Sequence, residues 1–217
     1  MVEASRPTHR RRTLAGTMSK LITIVGPSGV GKTSLVNALS KAADFSVAYE
    51  QHNERPFQSL FKQDGHFALA NQLDYLLFRA EQERDLRHSP LIALSDGGLD
   101  LDFHGFTRLF HARGFLNDME FDLCRRFHSW TRELLPPPDL VIALSAPDKT
   151  VRQRLASRNR INIASAEDTA LFNSLVEEWL ETLPPANLLR LNVGKEKPDY
   201  AKSIDIILKH IQKIFTV

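Results

Sequence analysis

The chain has 217 residues, 42% hydrophobic and 25% charged. That excludes wholesale disorder and suits one domain with at most a lid or tail. No apolar run approaches the ~20 residues that span a bilayer, so no membrane partner is expected. The formal charge of +2 is uneven: Arg6, Arg10, Arg11 and Arg12 stand against Glu3 in residues 1–17, leaving 24 basic and 25 acidic side chains elsewhere. Bulk charge therefore gives no reason to expect nucleic acid as a partner.

Residues 1–17 lack apolar periodicity and read as a disordered basic extension. Thr13-Leu14-Ala15-Gly16 is too short for the apolar part of a signal peptide. Residues 18–217 read as the folded domain. Leu21–Val25 is a short β-branched run ending in a glycine turn, which predicts a buried strand, and Lys32–Ala43 predicts a helix. Ser46–Glu50 predicts a second strand. Residues 66–87 carry Leu69, Leu73, Leu76, Leu77 and Ala80 at helical spacing. A third strand is expected at Leu91–Leu94, then helices near 101–113 and 117–135, the latter stopped by Pro136-Pro137-Pro138. Leu140–Leu144 predicts a fourth strand, and Pro147-Asp148 opens another helix. A basic stretch follows at 157–164. Then come a helix near 166–182, a strand at Leu188–Val193 and a last helix near 198–215. Strands apolar on both faces and separated by helices predict a five-stranded parallel sheet covered on two sides.

Gly26-Pro27-Ser28-Gly29-Val30-Gly31-Lys32-Thr33 satisfies G-x-x-x-x-G-K-[ST] between a strand and a helix. Its glycines let backbone N–H groups surround phosphate oxygens, and the helix N-terminus adds partial positive charge. Lys32 is expected to neutralise the β- and γ-phosphates of ATP or another nucleoside triphosphate. Thr33 is expected to ligate Mg²⁺, with Ser34 beside it. The guanine-reading tetrapeptide Asn-Lys-x-Asp is missing, and the chain is short for a motor ATPase. A small kinase acting on a small molecule is the best general reading. Glu50 ends strand two at the sheet edge where ligands bind, and is a candidate general base. Asp96 ends strand three and fits the second metal-holding acid. The plain alternatives are a solvated strand-end acid and an Asp-Gly turn.

The pattern from about 20 to 182 resembles the deoxynucleoside kinase family, as a divergent deoxyadenosine/deoxyguanosine kinase-like member. The likeness rests on Glu50 with Asn53-Glu54-Arg55-Pro56-Phe57; on Phe67–Gln72 followed by Arg79; on Ser95-Asp96 with Asp100–Phe103; on Pro137–Ile142; and on the lid arginines Arg154, Arg158 and Arg160. It implies a three-layer P-loop fold with an arginine-rich lid, ATP as phosphoryl donor, and 5′-phosphorylation of a nucleoside. Glu50 would take the 5′-hydroxyl proton. Gln72 would pair with the base edge and Phe106 would stack on it. Arg79 and Asp102 would discriminate the base, and the lid arginines would stabilise the transferred phosphoryl. The plain alternatives are a solvated Gln72 and Arg79 and a core Phe106. The resemblance implies that Arg154 belongs to the nucleotide site and Arg158 and Arg160 to catalysis.

The likeness departs in three places. Gly97 stands where the family has Arg, with Arg55 as a possible substitute. Phe61 takes the place of a sugar-binding Tyr, and Ile163 that of a lid Glu. Two other readings remain. Arg55 and Arg79 suit the acceptor clamp of a nucleoside monophosphate kinase resembling thymidylate kinase. The missing Arg suits a non-catalytic nucleotide-binding regulatory module. The family likeness also implies a homodimer. The stripe Phe121, Cys124, Phe127 and Trp130 serves either core or interface. The lone Cys124 fits a reducing, cytoplasmic setting, and the eight histidines show no metal-ligand spacing.

Overall fold

The computed structural model describes residues 18–49, 54–156, 166–197 and 199–215. The basic extension, Glu50, Asn53, Arg158, Arg160 and Ile163 lie outside the described residues. In chain order the elements are β1 (Leu21–Val25), α1 (Lys32–Ala42), β2 (Ser46–Ala48), α2 (Pro56–Phe61), α3 (Ala68–Arg87) and β3 (Ala93–Asp96). Next come α4 (Leu99–Leu101), a π-helical turn (Asp102–Thr107), α5 (Arg108–Ala112) and α6 (Asp118–Leu134). The chain closes with β4 (Leu140–Ser145), α7 (Asp148–Ala156), α8 (Ala166–Glu181), β5 (Leu188–Asn192) and α9 (Ala201–Phe215).

The five strands form one parallel sheet in the order β2-β3-β1-β4-β5. Strand alternation divides the apolar residues between two faces. Ile22, Ile24, Leu140, Ile142 and Leu144 pack with Leu35, Val36 and Leu39 of α1 and Ile207 and Ile211 of α9. Val25, Val141 and Ala143 face the other way, onto Leu109, Phe172, Val176 and Trp179. A third cluster joins α3 to α6 through Leu76, Leu99, Phe103, Leu116 and Cys124. The expected parallel sheet with helices on both faces is therefore present. Burial pushes the Cys124 thiol up to about 11, so it packs as an inert apolar group.

Several elements differ from the sequence expectation. β3 runs from Ala93 to Asp96, so it ends on Asp96 as expected but starts after Leu91. Its register pairs Ala93 with Leu21 and Asp96 with Ile24, leaving Leu91 outside at 42% exposure. β2 stops at Ala48. The long helix is entered through a 3-10 turn at Gly65–Phe67, and α2 and a 3-10 turn at Pro185–Asn187 are too short to show in the periodicity. The helix expected over 101–113 is widened by the π turn. Gly105 sits inside that turn with Phe172 of α8 so close that a Cβ there would overlap the ring. The turn therefore packs against α8 at a position where only glycine fits.

A buried ionic chain braces this region. Arg132 of α6 donates from Nη1 and Nη2 to Glu83 of α3, both at 2.9 Å, and from Nε to Asp100 Oδ1 at 2.9 Å. Arg87 donates to Glu83 Oε1 at 3.0 Å and to the carbonyls of Pro136 and Pro137 at 2.6 and 3.0 Å. These bonds satisfy charges that burial would otherwise penalise. They anchor α4 through Asp100, just ahead of the π turn that carries the candidate site residues Asp102 and Phe106. An Asn117–Glu120 capping box opens α6. Among the described residues no helix is long and apolar enough to cross a membrane.

Candidate active site

The phosphate loop leaves β1 at the centre of the sheet. Gly26, Gly29 and Gly31 take φ values of 143°, 80° and 113°, which side-chain-bearing residues rarely adopt. At Gly31 the loop is also crowded: a Cβ there would overlap the hydroxyl of Tyr200, just before α9. The Lys32 ammonium donates to the Gly26 carbonyl at 3.0 Å, turned over the loop it is expected to serve. Val30 is fully buried, and its carbonyl accepts from Arg154 Nη1. Arg154 Nη2 also reaches the Val193 carbonyl at 3.2 Å, so α7 and the end of β5 meet at the loop.

Thr33 donates its hydroxyl proton to Asp96 Oδ2 at 2.6 Å. Asp96 is fully buried at the end of β3, and Gly97 N–H continues the sheet by donating to the Ile24 carbonyl at 2.9 Å. The pairing of β1 with β3 therefore brings together the two residues expected to hold a metal. A hydroxyl and a carboxylate are hard oxygen donors, the set Mg²⁺ takes.

Behind Asp96 lies a second polar cluster. Arg79 of α3 donates from Nε to Asp102 Oδ2 at 2.8 Å and from Nη1 to the Asp96 carbonyl at 3.3 Å. Arg79 and Asp102 are each 5% exposed, so this is a buried pair rather than a solvated one. Arg79 Nη1 also donates to Gln82 Oε1 at 3.0 Å, and Gln82 Nε2 donates to the Tyr49 carbonyl at 3.2 Å. That chain reaches the residue before Glu50. Gln72, two turns earlier on α3, is 2% exposed and donates from Nε2 to Thr107 Oγ1 at 3.0 Å. A solvated Gln72 and Arg79, the plain alternative, is not what the fold makes.

The other candidates fall out differently. Phe106 is 39% exposed and only leans on Phe172, with centroids 4.6 Å apart, so it is not core. Phe61 turns into a cluster with Phe110 and Phe115 at 5.0 and 5.4 Å. Arg55 donates from Nε to Asp74 Oδ2 at 2.6 Å and lies over the Phe78 ring, 4.6 Å from its centroid. It is thus engaged by α3. Gly97, at φ 72°, leaves Arg79 Nη2 3.3 Å from the position of a Cβ, so the guanidinium of α3 fills space beside the missing side chain.

The fold also gathers Asp100, His104 and His128, whose ligand atoms lie within 4.8 Å of one another although their sequence spacing is uninformative. His128 Nε2 lies 2.7 Å from Asp100 Oδ1, the oxygen that also accepts from Arg132. Burial would raise the Asp100 carboxyl, but the His128 bond and the Arg132 charge outweigh it and hold it at about 2. Arg132 thus supplies positive charge at the carboxylate that a cation would use.

The deoxynucleoside kinase family model matches residues 22–215. The chain belongs to the deoxynucleoside kinase family. It is therefore a kinase, a phosphotransferase that uses a nucleoside triphosphate. Among solved structures it is similar to deoxyadenosine kinase from M. mycoides with dCMP and a flexible dCDP bound, at 21% identity and a TM-score of 0.72. The same M. mycoides protein with dCTP bound gives 20% identity and a TM-score of 0.70. Each comparison covers 89% of this kinase and the whole of the other chain. At that identity the structural likeness speaks for the shared fold. No curated protein sequence matches the chain.

Burial pushes the His104 imidazole down from 6.5 to about 4. The folded form thus resists a proton that the unfolded chain accepts below pH 6.5. Stability should be full above that pH and fall by about 3 kcal/mol as the pH drops from 6.5 to 4 and below. Urea midpoints measured across this window should decline, and His104→Gln should flatten the decline.

Proposed function

We propose that this kinase transfers the γ-phosphoryl of ATP to the 5′-hydroxyl of a deoxynucleoside whose base carries an exocyclic amino group. The observation that carries this reading is the convergence of the phosphate loop, Asp96 and the buried polar set Gln72, Arg79 and Asp102. These residues are linked through the Arg79 bond to the Asp96 carbonyl. The M. mycoides neighbour is a deoxyadenosine kinase seen with deoxycytidine nucleotides. Adenine and cytosine share one edge: a ring nitrogen acceptor beside an amino donor. The amide of Gln72 complements that edge with a donor beside an acceptor.

Glu50 would take the 5′-hydroxyl proton as the oxygen attacks the γ-phosphorus and the bond to the ADP oxygen breaks. Lys32 and the loop N–H groups would draw charge from the phosphates. Arg154, Arg158 and Arg160 would hold the transferred phosphoryl, with Arg154 rooted on the Val30 carbonyl. Thr33 and Asp96 would hold Mg²⁺, which neutralises phosphate charge when bound. Phe106, 39% exposed, would stack on the base.

The monophosphate kinase alternative needs a cationic clamp for the acceptor phosphate. Arg55 and Arg79, its candidates, are each paired with a carboxylate, Asp74 and Asp102. That pairing disfavours it. Labelled phosphate transfer from ATP across nucleosides and monophosphates tests the reading. Deoxyadenosine or deoxycytidine should be labelled, and Glu50→Gln should lower kcat by about 10²-fold or more with little change in nucleoside binding. Labelling of monophosphates alone would contradict the reading. So would ATP binding without transfer, which supports a regulatory module instead.

We also propose a homodimer built on α6. Met119, Leu123, Trp130 and Leu134 lie at helical spacing and are 80%, 41%, 58% and 54% exposed. Such an apolar stripe, on a helix whose other side is buried through Cys124, His128 and Thr131, suits a second copy of the same surface. Cys124, by contrast, is fully buried beneath it. Light scattering should report a dimer, and Trp130→Glu should shift it towards monomer. A monomeric wild type at micromolar concentration would contradict the proposal.

A further inference from the structure

Thr107 is the last residue of the π turn and is fully buried. Its hydroxyl has one proton to give. The Asp102 carbonyl, 3.2 Å away, can only accept, and takes it. The hydroxyl oxygen then offers lone pairs alone. What faces it is the Gln72 amide, and the group matching a lone pair is Nε2, at 3.0 Å. The amide is thereby fixed in one of its two flips. A flipped amide would set Oε1 against an oxygen whose proton is already committed.

The fixed flip matters because a free glutamine reads two kinds of base. One Nε2 proton goes to Thr107, and the other lies beside Oε1. Together they form an edge with one donor and one acceptor in fixed order. Adenine and cytosine present an acceptor in the ring and an amino donor outside it, an order that guanine, with its ring N–H, does not share. Oxo bases present the reverse. A rotating amide accommodates both, whereas a pinned one accepts a single order and leaves the other with two mismatched contacts.

We infer that Thr107 is a specificity-determining positioning residue, which pins the Gln72 amide so that the site takes amino-bearing bases and rejects their oxo counterparts. This rests on the nucleoside kinase reading above. The π turn is what makes it possible. The turn packs against α8 through Gly105 and delivers Thr107 to α3, so the discrimination is built into the backbone.

The test is the ratio of kcat/KM for deoxyadenosine over deoxyinosine, and for deoxycytidine over deoxyuridine. Each ratio is taken on one preparation, so loss of folded protein cancels. The wild type should favour the amino member. Thr107→Val keeps the shape and removes the hydroxyl, and should lower the ratio by about tenfold or more. Thr107→Ser should restore it. Thr107→Ala serves where the valine variant does not fold. An unchanged ratio in the valine or alanine variant overturns the inference. A serine variant that follows valine, or a wild type indifferent to amino and oxo bases, overturns it as well. Failure of the wild type to phosphorylate any nucleoside overturns the kinase reading itself, a result distinct from an active enzyme without the preference.

Discussion

Thr33 Oγ1 gives its proton to Asp96 Oδ2 at 2.6 Å, across the junction of β1 and β3. Everything at the candidate site is placed relative to that contact. It requires the parallel register that sets Ile24 beside Asp96, and a phosphate loop that turns tightly enough for α1 to begin over the sheet edge. A buried carboxylate is costly without donors or a cation. Its position at the end of an apolar strand therefore follows from the chemistry of the site, since packing alone would favour an apolar residue there.

The second constraint is polar as well. The face of the sheet that carries α3, α6 and the π turn holds Arg79 with Asp102, and Arg132 with Glu83 and Asp100. Replacing one partner in such a set leaves an isolated charge, which typically costs about 3–5 kcal/mol. The network therefore makes the α3, α4 and α6 arrangement sensitive to substitution. It ties the turn that starts at Asp100 to α3 and α6. Preorganisation of this kind removes part of the ordering cost of binding.

Most of the architecture was legible in the chain. The apolar runs at Leu21–Val25 and Leu140–Leu144 announced central strands, and the phosphate loop announced its own position. The signals that failed were those that depend on a partner. β3 begins at Ala93 rather than Leu91 because Ala93 pairs with Leu21, which periodicity cannot show, whereas Asp96 is legible as the end of the strand. The π turn packs at Gly105 against Phe172 of α8, a contact that the local sequence does not show. Gln72 and Arg79 were legible as a pair on one face of α3. Their burial was not, because it depends on Thr107 and Asp102 from another element. Thr107 itself carries no sequence signal: a threonine inside a helix is ordinary, and only its contact gives it a role.

A crystal structure of the kinase with a deoxynucleoside and ADP tests the central claim most directly. The base should lie with its amino-bearing edge against the Gln72 amide and a face against Phe106. The 5′-hydroxyl should lie within hydrogen-bond reach of the Glu50 carboxylate, on the phosphate-loop side of Asp96. A nucleoside bound elsewhere would contradict the account. So would a base whose edge is read without Gln72, or a 5′-hydroxyl turned away from Glu50 and the phosphate loop.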